Sequence, residues 1–93
     1  MIIGTLEVNL IVHWSHSLKE KRMVLRSITE RIKNKFNVSV AEIDHQDLHQ
    51  SIVLGIACVS NETSHASSVL QKVLDYIEGN CEAEIVDSRI EII

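Results

Sequence analysis

The sequence predicts an α+β domain with its elements in the order β-α-β-β-α-β. Three observations lead there. Residues 17–36 and the stretch from Ala66 to Ile77 place apolar side chains at helical spacing. Residues 3–12 alternate with a period of two, which reads as a half-buried strand, and residues 51–59 are apolar on both faces, which reads as a central strand. The 93 residues, 45% hydrophobic and 24% charged with no Pro and three Gly, suit one domain spanning 1–93 with no linker.

Taken in order, Leu6, Val8, Leu10 and Val12 share one face of the first strand, and Thr5, Glu7, Asn9 and Ile11 the other. His13-Trp14-Ser15-His16 breaks the alternation as a loop. Ser17 followed by Glu20 fits a capping box and predicts a helix start. Leu25, Ile28, Ile32 and Phe36 form the expected core stripe, flanked by Leu18 and Val24, and Asn37 is the expected stop. Val38 to Asp44 is a second strand rich in β-branched residues. Its alternation slips after Val40, at Ala41-Glu42-Ile43, which marks a bulge.

Asp44 to Gln50 is a polar connection to the third strand, Ser51 to Val59. Ser60 or Asn61 is the expected cap of the second helix. Its stripe is Ala66, Val69, Leu70, Val73, Leu74 and Ile77, and Gly79 suits a left-handed stop. Glu82 to Ile93 is the fourth strand, with Ile85, Ile90 and Ile92 as its apolar members.

This order is the split βαβ, ferredoxin-like pattern. Two right-handed βαβ units interlock into an antiparallel sheet of order 4-1-3-2, with both helices on one face. The loop after strand 1 and the hairpin between strands 2 and 3 then lie at the same end of the sheet. The other sheet face is left open and partly apolar, so a homodimer or higher homo-oligomer is expected.

Charge is unevenly spread. The chain has a net charge of −4, yet seven of its nine Lys+Arg fall within residues 17–36 beside only Glu20 and Glu30. That helix therefore carries +5 and the remaining chain −9. Such polarity speaks to partners rather than to fold. No leader pattern and no apolar run of membrane-spanning length is present, so the expectation is a cytoplasmic protein without a membrane partner. Cys58 and Cys81 lack a CxxC context and read as reduced thiols.

Lys19, Arg22, Arg26 and Lys33 fall on one side of the basic helix and are the candidate nucleic-acid-binding residues, each able to neutralise a phosphate. The plain alternative is a solvated helix face. With only Trp14, Phe36 and Tyr76 as aromatics there is no stacking platform, so any RNA is read by backbone and shape, with Trp14 free to add one stack or an interface anchor. His13, His16, Asp44, His45 and Asp47, with His49 nearby, are the candidate metal or small-ligand set at the loop end. Their alternative is a polar hairpin of Asx turns. Lys21 falls on the buried side of the helix, where an ion pair with Asp44 or Asp47 would pin the hairpin. His45 with Asp44 or Asp47 is the only acid–base grouping. Nothing resembles a nucleophile elbow or a glycine-rich phosphate loop, and neither catalysis nor a cofactor is expected.

SLKEKR at Ser17–Arg22, NVSVAEIDHQDLHQ at Asn37–Gln50 and LGIACVSN at Leu54–Asn61 resemble the YlxP-like family of small bacterial proteins, across nearly the whole chain. The resemblance implies the same fold and carries no catalytic residues. Genes of that family often adjoin those of transcription and translation factors, including a ribosome-binding factor, which implies an RNA or ribosomal partner by association. An aromatic residue is common in the family where this chain has His49, so a metal role for His49 is not a family trait. The expectation is a binding protein for RNA or ribosomal particles, with a metal- or ligand-binding homo-oligomer as the alternative.

Overall fold

A computed structural model describes all residues from Met1 to Ile93. The elements are β1 (Ile2–Ile11), α1 (Leu18–Lys35), β2 (Ser39–Asp44), β3 (Ser51–Ser60), α2 (Thr63–Asn80) and β4 (Glu84–Ile92). They form one four-stranded sheet of order β2-β3-β1-β4, with every neighbouring pair antiparallel. This is the expected ferredoxin-like topology. Neither helix is long and apolar enough to cross a membrane.

The period-two pattern of β1 becomes burial directly. Leu6, Val8 and Leu10, continued by Val12, are buried, and the residues between them are half-buried. β3 lies between β1 and β2, as its two-sided apolarity requires, and sends Ile52, Leu54, Ile56 and Cys58 into the same core. α1 supplies Val24, Ile28 and Ile32, and α2 supplies Ala66, Leu70, Val73 and Ile77. Each such aliphatic side chain contributes about 1.5–3 kcal/mol on leaving water. Gly4 lets α2 approach β1 closely, since a Cβ there would stand 2.8 Å from Leu70 Cδ1.

Three local expectations are corrected. The stripe of α1 is rotated: Lys21, Val24, Ile28 and Ile32 are buried, whereas Leu25 and Phe36 are only half-buried. The cause is position, for α1 packs on the edge strand β2 and its Leu25 side overhangs that edge. The capping residue of α2 is neither Ser60 nor Asn61. Glu62 takes that position without a side-chain bond, and the Ser60 hydroxyl instead accepts from the Glu62 N–H at 3.1 Å. Gly79 does not adopt a left-handed conformation and lies within α2. Two donors serve the helix end in its place: Asn80 Nδ2 donates to the Tyr76 carbonyl at 3.0 Å, and Arg31 Nη1 to the Asn80 carbonyl at 2.6 Å. Orphan carbonyls of the last turn are thus met without a glycine motif.

The capping box of α1 forms. Ser17 Oγ accepts from the Glu20 N–H at 3.1 Å. Glu20 Oε1 reaches back to the His16 N–H at 2.9 Å, one residue further than the usual partner. The bulge in β2 is also present, as a register shift between Glu42 and Asp44 that leaves Ile43 extra. A second shift, in the pairing of β1 with β4, falls between Asn9 and Leu10 and leaves Val86 unpaired.

Candidate functional site

The loop after β1 and the β2–β3 hairpin meet at one end of the sheet. The Val12 N–H donates to the Gln50 carbonyl at 2.8 Å, and Gln50 Nε2 donates to the carbonyls of His13 and Ser15 at 3.1 and 3.2 Å. Lys21 reaches into this junction with only 1% of its surface exposed. Its Nζ donates to the His45 carbonyl at 2.6 Å and to the Gln46 carbonyl at 3.4 Å. Its ion pair is with Glu42 Oε2 at 2.8 Å, not with Asp44 or Asp47. That contact lies outside hydrogen-bond geometry, so the two groups are held as charges while the carbonyls take the ammonium protons. Val38, Val40 and Glu42 continue one inward-facing series, and the bulge comes only after it, so Glu42 arrives beneath α1.

Lys21 therefore clamps the hairpin at its most constrained point. His45 is the one non-glycine residue with positive φ, at 57°. Histidine tolerates this region better than most residues, at some cost. The Asp44 carboxylate accepts from the His45 N–H at 2.8 Å, and His45 Nδ1 lies 2.8 Å from Ser51 Oγ.

The candidate set at the loop end is not grouped as a metal site. His13 pairs instead with Glu84 of β4, Nε2 to Oε2 at 2.5 Å. His45 is engaged with Ser51, and Asp44 with the hairpin backbone. His16, Asp47 and His49 are exposed. No three His, Cys, Asp or Glu side chains are grouped so as to hold a metal ion. A shared end of the sheet gave proximity, but His13 and His45 engage different neighbours, and the side chains of His16, Asp47 and His49 stand exposed.

The basic helix is organised differently. Lys19, Arg22, Arg26 and Lys33 are all exposed, and none has a carboxylate within ion-pairing distance, the ion pairs of the molecule being His13–Glu84, Lys21–Glu42, Arg89–Glu7 and Arg89–Glu91. Arg22, Arg26 and Lys33 line a groove of about 360 Å³ between α1 and β2, together with Leu25, Thr29, Val40, Ala41 and Glu42, the last already paired with Lys21. Lys19 stands outside it. The other cations of the helix are engaged: Arg31 holds the end of α2, and the Lys35 ammonium lies 5.5 Å from the Tyr76 ring centre. Phe36 and Tyr76 pack edge to face at 5.8 Å.

A second cleft, unforeseen in the sequence, opens on the other flank of α1. It has a volume of about 170 Å³ and is lined by Trp14, Met23, Ser27, Arg31 and Glu82 among others. Only packing of the α2–β4 connection against α1 creates it, so no local pattern signals it. The open sheet face carries a broader depression of about 340 Å³ over Thr5, Ala41, Ile43, Gly55 and Ala57.

The architecture and its basic helix define a ferredoxin-like α+β protein with a polarised surface. Residues 3–90 match the family model described as "Protein of unknown function (DUF503)", and the chain belongs to that family. It is similar to the "Uncharacterized protein YlxP" of Bacillus subtilis (strain 168), 43% identical over 90 residues that cover 97% of this chain and 98% of that protein. The resemblance carried by SLKEKR and the hairpin segments is thereby borne out.

Proposed function

We propose that this protein is a non-catalytic binding protein whose partner is RNA or a ribonucleoprotein particle, engaged through Lys19, Arg22, Arg26 and Lys33. The observation that carries the reading is that these four exposed cations lack a carboxylate partner in a chain of net charge −4. Thirteen acidic residues were available to neutralise them. Three of the four converge on one groove. The helix beneath is fixed by Val24, Ile28 and Ile32 and by its capping box, so the charges are presented in place before the partner arrives. Phosphates of an RNA backbone match such a row. The family's genomic neighbourhood points the same way by association.

The test is co-sedimentation of the tagged protein with ribosomal particles from gently lysed cells, in low and in high salt. The expected result is enrichment in one particle fraction at low salt, lost at high salt and lost in Arg22→Glu/Arg26→Glu. Each phosphate contact made to a single strand steepens the salt dependence by about 0.7 in log–log slope, so four contacts give a slope of about −3. Absence from every particle fraction at low salt overturns the ribosomal reading.

A further inference from the structure

We infer that the cleft beside Trp14 is a subsite for one unpaired nucleobase of single-stranded RNA, stacked on the Trp14 ring. The inference rests on the proposed RNA reading and deepens it, from an anionic polymer in general to a single strand with an exposed base.

Trp14 is 43% exposed, and Met23, which lines the same cleft, is 64% exposed. Together they place adjoining apolar surface in water at one cleft, which is a patch rather than a scattered exposed residue. Nor is Trp14 on a loose loop. The carbonyls on either side of it, those of His13 and Ser15, both accept from Gln50 Nε2, and Ser15 is fully buried. His13 is held again by Glu84. The ring is thus presented by a pinned backbone.

The apolar lining of the cleft is Trp14, Met23, Val24 and Ile28, with Cys81 beside them, and the indole is its one planar surface. Its rim is polar, with Arg31 as donor, Glu82 as acceptor and the Ser27 hydroxyl as either. One N–H of Arg31 is used on the Asn80 carbonyl, which orients the guanidinium and leaves its remaining donors free. An aromatic wall with donors and acceptors at the rim is how unpaired bases are held, by stacking with hydrogen bonds to the base edge.

The cleft also adjoins the phosphate-binding candidates. Met23 lies four residues after Lys19 and three before Arg26, so it neighbours both on the helix surface. A strand whose backbone follows Lys19, Arg22 and Arg26 can turn a base over Met23 into the cleft. A duplex, with its bases stacked and paired, cannot.

Trp14 is the only tryptophan, so the intrinsic fluorescence of the protein reports on it alone. The purified full chain is titrated at low salt with a short oligoadenylate, a fully paired RNA duplex and inorganic polyphosphate. The oligoadenylate is expected to quench Trp14 emission, while the duplex and polyphosphate leave it unchanged. Trp14→Phe is expected to keep oligoadenylate affinity, and Trp14→Leu to weaken it about fivefold or more, the loss of one base stack. If the oligoadenylate binds in a salt-dependent way but emission does not change, the base subsite is overturned and the basic-helix reading stands. Equal quenching by polyphosphate overturns the stack as well, because that probe has no base. Failure of the wild-type chain to bind any of the three probes overturns both readings.

Discussion

The two faces of the sheet are built by different rules, and two glycines show it. Gly4 faces the helices, where a Cβ would stand 2.8 Å from Leu70 Cδ1 and 3.3 Å from both Ala66 Cβ and Cys58 Sγ. Gly55 faces the open side, where the three atoms nearest to a Cβ all belong to the Ile43 side chain, the first at 2.7 Å. The first contact is with two packed layers that cannot retreat. The second is with a 49%-exposed side chain from a bulge, free to swing into water. The covered face is a close-packed core of aliphatic side chains. The open face mixes Thr5, Glu7 and Asn9 with small residues of β3, crossed by Arg89 between Glu7 and Glu91 at 3.2 and 2.9 Å. Those exposed pairs add little to stability. Most of the buried apolar surface thus lies on one face, and on the other only Val53 is buried among the aliphatic side chains.

Lys21 is the exception on the covered side, and breaking it is the largest expected effect. Lys21→Met keeps the volume but leaves Glu42, whose side chain is 16% exposed, as a charge without its partner. It also strips the His45 carbonyl of its ammonium donor. Removing one member of a buried pair costs about 3–5 kcal/mol, and the partial exposure of Glu42 brings this to about 2–3. Urea unfolding measures it. The double variant Lys21→Met/Glu42→Leu should recover more than half of the loss, because the stranded charge is gone. Recovery stays incomplete, since the hairpin carbonyls still lack a donor. A single variant as stable as the wild type would show that Lys21 does not clamp the hairpin.

Gly4→Ala comes next. Overpacking a close-packed site costs about 1–3 kcal/mol, and the loss of chain freedom in the unfolded state returns about 0.4–1. A net destabilisation of about 1 kcal/mol or more is expected in urea or thermal unfolding. It should be partly relieved by Leu70→Val, which withdraws the nearest atom.

What was legible in the sequence follows the same division. Features set by residues a few positions apart could be read: the alternation of β1, the Ser17–Glu20 box, the two-sided β3 and the slip in β2. Features set by distant partners could not. Glu42 rather than Asp44 or Asp47 receives Lys21, because the inward series Val38, Val40, Glu42 runs on to Glu42 before the bulge turns the strand. The left-handed stop at Gly79 is replaced by Arg31 from the other helix and by Asn80. His13 and His45 separate because Glu84 of β4 engages the first and Ser51 of β3 the second. For the candidate site, the row Lys19, Arg22, Arg26 and Lys33 follows from helical spacing, whereas its lack of carboxylate partners is a tertiary fact.

The smallest expected effect is the one that tests the comparison most directly. Gly55→Ala adds the same methyl group as Gly4→Ala, on β3, which pairs with the β1 strand that holds Gly4, but on the opposite face. Ile43 must move by a fraction of its length, and as a half-exposed side chain it can do so without disturbing a second layer. It loses part of the surface it shelters against β3, on the order of tens of Å², worth about 0.5–1 kcal/mol. Restricting the unfolded chain returns about 0.4–1 kcal/mol. The two offset, and the stability of Gly55→Ala should lie within about 0.5 kcal/mol of the wild type by urea unfolding. Should Gly55→Ala cost as much as Gly4→Ala, the side chains over Gly55 must be held as firmly as α2 is held over Gly4. The open face would then share the packing constraint of the core, and the division of labour between the two faces would fail.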